Sequence, residues 1–252
     1  MSILDGVRTV LLAHAHPDDE TISSGALVAE LAARGIRVVL LTATLGEQGE
    51  VVLARQVEVR AALGTDPADD PAGFARLRER ELGDAAAILG VAQRYLLGTA
   101  PARARGLPDR RYADSGMRWI REGLAGPAAD VSSDALTAAP LAEVTDDIGA
   151  LIELVSPQLV ISYDDNGGYG HPDHRRIREA ALAAATATGI PFAELLAEPA
   201  PDAEWLALDQ HLATVQNALR SHASQITVDG DHLIHSGGQR EKIATAVGLR
   251  VV

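Results

Sequence analysis

The 252-residue chain is 47% apolar but only 3% aromatic, enough for one sizeable α/β core built on Leu, Val, Ile and Ala. A formal charge of −13 gives no basic face for phosphates and excludes nucleic acid as the expected partner. With no cysteine, disulfides and thiolate sites are excluded, any transition metal must be held by His, Asp or Glu, and a reducing cytoplasm is the expected compartment.

The run TVLLA near the start is too short for a signal core or a membrane span, and no membrane association is expected. It reads instead as a first strand over Thr9–Ala13, followed by the loop AHAHPDDE. Leu27, Val28, Leu31 and Ala32 recur at helical spacing and predict a helix over Thr21–Arg34, closed by Gly35. The nearly all-apolar stretch Arg37–Thr44 predicts a second strand, covered on both faces as in a parallel sheet. A β-loop-α-β unit of this kind implies parallel pairing with a right-handed crossover.

Further along, Phe74–Leu89 reads as a helix and Arg94–Leu97 as a third strand. Residues 98–117 are rich in Pro, Arg and Gly and read as irregular. Leu141–Val155 is a predicted helix, Leu159–Tyr163 a buried strand, DDNGGYGHPDH a loop and Arg175–Thr188 an Ala-rich helix. Beyond Pro191 the pattern weakens, with a helix expected over Trp205–Gln225. The expected architecture is a Rossmann-like, mostly parallel sheet with helices on both faces and its site on loops at strand carboxyl ends. Residues 1–190 form the expected catalytic domain, and residues 191–252 complete the same domain and its pocket.

Both His-rich loops directly follow predicted strands, so the topology brings them to one edge of the sheet. Zinc takes about four ligands and, in catalytic sites, leaves one position to water. His16, Asp19 and His174 supply two imidazoles and a carboxylate. Asp18 is the candidate general base, His171 the candidate proton donor to a departing amine, and Tyr169 the candidate donor to an oxyanion. Asp173 and His14 suit orientation of the metal-bearing rings. Taken singly, Asp19, Glu20 and Asp173 also fit helix N-caps. Capping does not explain two strand-end loops that each carry His-Pro-Asp. A nucleotide-binding module is disfavoured because AHAHPDDE presents acids where a phosphate loop needs Gly and backbone N–H groups. A purely structural metal site is disfavoured by the open position and the free Asp18.

The paired motifs AHAHPDDE and GHPDH resemble those of PIG-L/LmbE-like metal-dependent deacetylases over most of residues 8–190. The resemblance implies removal of an N-acetyl group from a glucosamine-containing small molecule with zinc, or ferrous iron, held by His16, Asp19 and His174. It implies Asp18 as base and His171 as acid or oxyanion stabiliser. TLGEQGEV, RERELGDAAAILG, YADSGM and YDDNGGYGHPDH are similar to the mycothiol branch, which includes an N-acetylglucosaminyl-inositol deacetylase and an S-conjugate amidase. By that likeness Arg78 and Asp114 contact substrate hydroxyls, Glu50 lines the sugar or inositol pocket, and Tyr169 is a mobile oxyanion donor. Their ordinary alternatives are a solvated helix residue, a turn residue and a surface acid for Arg78, Asp114 and Glu50 respectively. In the tail, ALRSHASQI resembles the family's late His-x-x-Gln stretch, which brings His222 and Gln225 towards the pocket or into the packing of the last helix. The segment IPFAELLAEPAPDAEWLALDQ departs from the family by lacking an evident strand pattern.

Overall fold

The structure, a computed structural model, describes residues 2–252. In chain order its elements are β1 (Thr9–His14), α1 (Asp19–Ile22), α2 (Gly25–Ala33), β2 (Arg37–Thr42), α3 (Gln56–Leu63), α4 (Pro71–Leu89) and β3 (Gln93–Leu96). There follow β4 (Met117–Arg121), β5 (Leu124–Pro127), α5 (Leu141–Val155), β6 (Leu159–Tyr163), α6 (Pro172–Thr188), β7 (Phe192–Leu196) and β8 (Glu204–Ala207). The chain ends with α7 (Leu212–Ser221), β9 (Ile226–Asp229), β10 (His232–His235), β11 (Arg240–Lys242) and β12 (Ala246–Val251).

The main sheet has seven strands in the order β3-β2-β1-β6-β7-β12-β8. β1 pairs in parallel with both β2 and β6, while β12 runs antiparallel between β7 and β8. The inner strands are mostly apolar because both faces are covered. Val10 and Leu12 point into one core, shared with Leu27 and Leu31 of α2, Leu82 of α4 and Leu219 of α7. Leu11 and Ala13 point into the other, against Ile148 and Leu151 of α5 and Ile177 and Ala181 of α6. From β1 the chain builds outward through β2 and β3, then returns to lay β6 on the other side of β1. That reversal opens a crevice at the carboxyl ends of β1 and β6. These are the two strands that precede the His-rich loops.

The expected helix over 21–34 is two helices. Ser24 Oγ donates to the Glu20 carbonyl at 2.9 Å and lies 3.0 Å from His14 Nε2, so a side chain replaces the continuing backbone bond at the junction. α6 begins three residues earlier than expected, with Pro172 at its first position and His171 as its cap. The helix expected over 205–225 is confined to α7. Trp205, Leu206 and Ala207 instead pair with Gly248, Val247 and Ala246 in the sheet. The segment from Phe192 to Leu196, in which no strand was evident, is the buried β7. α3 and the β4–β5 hairpin were not foreseen from the sequence.

Residues 98–116 are irregular, as expected, but they are fastened. Asp147 on α5 accepts from Arg103 Nη1 at 3.0 Å, from the Tyr112 hydroxyl at 2.8 Å and from the Ala104 N–H at 2.7 Å. This fully buried carboxylate anchors the loop that delivers Asp114 and Ser115 to the site. Replacing Asp147 with Ala strands three donors and is expected to cost about 3 kcal/mol, read by urea unfolding. A change below about 1 kcal/mol contradicts the anchoring role.

Candidate metal centre and active site

The loop after β1 carries His16, Pro17 and Asp18 into α1, which begins at Asp19. The loop after β6 carries Tyr169 and His171 into α6, whose first turn presents Asp173 and His174. The two loops meet. Asp19 lies between the two imidazoles, with Oδ2 at 3.2 Å from His16 Nδ1 and Oδ1 at 3.3 Å from His174 Nε2. All three residues are buried.

The protons on these rings follow from their other contacts. His174 Nδ1 lies 3.1 Å from the Gly167 carbonyl, which only accepts, so Nδ1 carries hydrogen and Nε2 is the lone-pair nitrogen. That buried Nε2 has no hydrogen-bond partner. His16 Nε2 faces Asp173 Oδ2 at 3.3 Å and Asp114 Oδ1 at 3.7 Å, both acceptors, which keeps hydrogen on Nε2 and turns Nδ1 to Asp19. Asp19 Oδ2 is held by the His16 N–H at 2.9 Å and the Tyr163 hydroxyl at 2.7 Å. Two imidazole nitrogens thus meet one carboxylate, donor types that suit zinc or ferrous iron. His16, Asp19 and His174 are of the residue types that hold such a metal.

The groupings whose donor atoms all lie within 4.8 Å of one another are His16 with His171 and His174, and His16 with Asp114 and Asp173, whereas His16 and His174 are joined only through Asp19 in the implied set. His171 Nδ1 is already occupied by the Asp173 N–H at 3.2 Å. In the second grouping His16 Nε2 must lose the proton that its two acids hold. The set containing Asp19 uses His16 Nδ1 and leaves the contacts of Nε2 with its two acids intact.

The electrostatics agree. Burial alone raises the Asp19 carboxyl, but His174 and His16 outweigh it and hold Asp19 well below the usual carboxylate range. Burial alone lowers His16, but Asp114, Asp173 and Asp19 together raise it well above the ordinary imidazole value. His171 is pushed down to about 2 by burial and by the neighbouring His16 and His174, so it is neutral, with its hydrogen on Nε2.

Asp18 sits at the mouth of the centre with φ at 94°, a left-handed conformation that costs a non-glycine residue about 1–3 kcal/mol. Burial raises its carboxyl, with Arg78 opposing. Arg78 donates to Asp18 Oδ2 at 3.1 Å, to the Pro17 carbonyl at 2.6 Å and to the Gly46 carbonyl. The guanidinium expected to meet substrate therefore clasps Asp18 and two loop carbonyls. Asp114 accepts from the Gly116 N–H at 2.8 Å, beside His16. Glu50 is exposed at the rim, and its carbonyl accepts from Gln225 at 2.9 Å. Asp173 is fully buried behind His16 and accepts from the Ser115 N–H at 2.9 Å, a position that orients the ring.

Tyr169 is 39% exposed, with its ring edge-on to His174 at 5.2 Å and to His171 at 6.0 Å. Trp119 of the unforeseen hairpin lies 5.7 Å away. Tyr163 was missed as a site residue. Besides holding Asp19, its ring stacks on His174 at 4.1 Å and 8°. Its place at the end of β6, six residues before Tyr169, was the available signal. His14 lies edge-on to Tyr163, away from the ligand atoms, and burial lowers it to about 4. His222, buried in the tail, reaches Glu20 of the first motif at 2.8 Å.

Among the described residues no helix is long and apolar enough to cross a membrane. Residues 11–185 match the PIG-L family, described as GlcNAc-PI de-N-acetylase. The chain is 41% identical over 181 residues to the 1D-myo-inositol 2-acetamido-2-deoxy-alpha-D-glucopyranoside deacetylase of Kineococcus radiotolerans, covering 72% of this chain and 45% of that protein. It is 37% identical over 233 residues to the protein of the same name from Kribbella flavida, covering 91% of this chain and 70% of the relative. It thus spans less than half of the first relative's length. The solved structure of the zinc inhibited form of teicoplanin deacetylase Orf2 shares its fold, with a TM-score of 0.57 at 26% identity over 86% of this chain and 84% of that one. The matched stretch contains both His-Pro-Asp loops and the strands that bring them together, and the chain belongs to the PIG-L family.

Proposed function

We propose that this protein is a metal-dependent N-deacetylase that hydrolyses the acetamide of 1D-myo-inositol 2-acetamido-2-deoxy-α-D-glucopyranoside to acetate and the free amine. The observation that carries the chemistry is the partnerless His174 Nε2 turned on Asp19, with His16 Nδ1 on the other side. The substrate is supported by the relatives' names and by the polar residues around the centre. His16, Asp19 and His174 would hold a zinc or ferrous ion, which would supply Lewis acidity to water and to the amide carbonyl.

The chain's own groups do the rest. Asp18 accepts a proton from the attacking water as the oxygen adds to the carbonyl carbon. Neutral His171 enters as an N–H donor from Nε2, and with the Tyr169 hydroxyl it stabilises the oxygen that gains charge. As the C–N bond breaks, the Asp18 carboxyl returns its proton to the nitrogen. A base raised by burial is suited to both halves of that transfer. Arg78 keeps the carboxylate aimed, and Asp114 and Glu50 are the candidates to meet sugar or inositol hydroxyls.

The test joins metal analysis to product detection. Protein with about one zinc or ferrous ion per chain should release acetate and amine in equal amounts from the glycoside, and a bulkier S-conjugate should be cleaved much more slowly. No turnover by metal-replete protein overturns the activity, and equal rates on both compounds overturn the substrate. Y169F should lower kcat by about 100-fold with KM little changed, the usual worth of one oxyanion donor. An unchanged kcat removes Tyr169 from the chemistry.

A further inference from the structure

Asp18 has an unfavourable backbone conformation, and the residues that hold it there lie outside the reacting set. Its N–H donates to Glu20 Oε2 at 3.0 Å, two residues along the chain. Glu20 has no exposed surface, so this motif acid cannot meet substrate. Its other oxygen is bound by the Thr21 hydroxyl and by His222 Nε2 at 2.8 Å. His222 is also fully buried, and it reaches Glu20 across 202 positions of sequence from the end of α7.

The same tail stretch is tied to α4. Ser224 donates to Glu81 through its N–H at 2.9 Å and its hydroxyl at 2.6 Å. Glu81 lies one helical turn beyond Arg78, the residue that clasps the Asp18 carboxylate. Asp18 is therefore held from two sides, by its side chain through α4 and by its backbone through Glu20. Both supports meet at residues 222–225.

We propose that His222 and Glu20 are positioning residues. His222 fixes the Glu20 carboxylate, and Glu20 holds the left-handed turn that presents Asp18 to the attacking water. This rests on the reading of Asp18 as general base given above. Residues outside the first two thirds of the chain thereby set the geometry of the first motif. The other ties of the tail, Ser224 to Glu81, the Val52 N–H to the Ser224 carbonyl at 2.8 Å and Gln225 to Glu50, keep the segment in place when His222 is cut back.

The experiment compares H222A and H222Q with the parent protein, all metal-loaded. H222A should retain metal and fold while kcat falls about 10- to 100-fold at similar KM, the usual cost of losing an outer support of a site. H222Q, whose amide N–H can still reach Glu20, should recover most of the loss. A crystal structure of H222A should show residue 18 leaving the left-handed region. An unchanged kcat, a loss matched by loss of metal, failure of H222Q to recover, or a turn at residue 18 unchanged in H222A overturns the proposal. If the parent protein hydrolyses no N-acetyl sugar, the functional reading falls, and the backbone at residue 18 in H222A still decides this one.

Discussion

Replacing Asp18 with Asn leaves metal content at the parent level and cuts turnover by about two to four orders of magnitude. The carboxylate is in contact with Arg78 and beside the metal-binding set, but it holds none of the lone pairs that converge there. Its loss therefore removes the proton acceptor and not the ion. Asn is the informative substitution because a short polar side chain tolerates a positive φ better than most, so the turn survives. D18A removes the same carboxylate and adds backbone strain at φ 94°. It should show the same kinetic loss with a lower Tm than D18N. Metal analysis, kcat and Tm on both variants check this. Metal loss in D18N, or turnover near the parent's, removes Asp18 from the role of base.

Much of this site was legible in the sequence because its chemistry is local. His16, Asp18 and Asp19 lie within four residues, and His171, Asp173 and His174 within another four, each group at or beyond the loop that follows an apolar strand. The strands β1 and β6 were readable because full burial on both faces makes them predominantly apolar runs. α5 was readable to the residue because its apolar stripe is regular. What was hidden depends on pairing. β8 has four residues, and nothing within Glu204–Ala207 distinguishes a strand from a helical turn until β12 is beside it. The β4–β5 hairpin is largely exposed, so no burial pattern marks it. Arg78 was singled out in the sequence as a substrate contact, and its actual contacts were not readable. Besides the Asp18 carboxylate, its partners are backbone carbonyls, which carry no sequence signature. Tyr163 was read only as the last residue of a buried strand. Its hydroxyl bond to Asp19 and its stacking on His174 exist only once β1 and β6 are adjacent.

The second large effect separates the possible ligand sets. H174A should fall from about one bound ion per chain to near none at micromolar metal and lose turnover with it, because a three-ligand site does not survive as two. The cavity left against the Tyr163 ring should also lower Tm modestly. D114A should behave differently. Asp114 touches the Nε2 side of His16, whose role here is to carry the proton, so its removal weakens the metal without abolishing it. Retention of stoichiometric metal by H174A, with loss in D114A, places the ion among His16, Asp114 and Asp173 instead. The pH dependence gives an independent check. His16 is raised well above the ordinary imidazole value, so in the protein without metal its Nδ1 holds a proton that the ion must displace. Metal uptake should therefore release a proton at neutral pH, and affinity should weaken steadily as pH falls. Calorimetry in buffers of different ionisation enthalpy reads that proton directly. If uptake releases none, His16 Nδ1 is not a ligand.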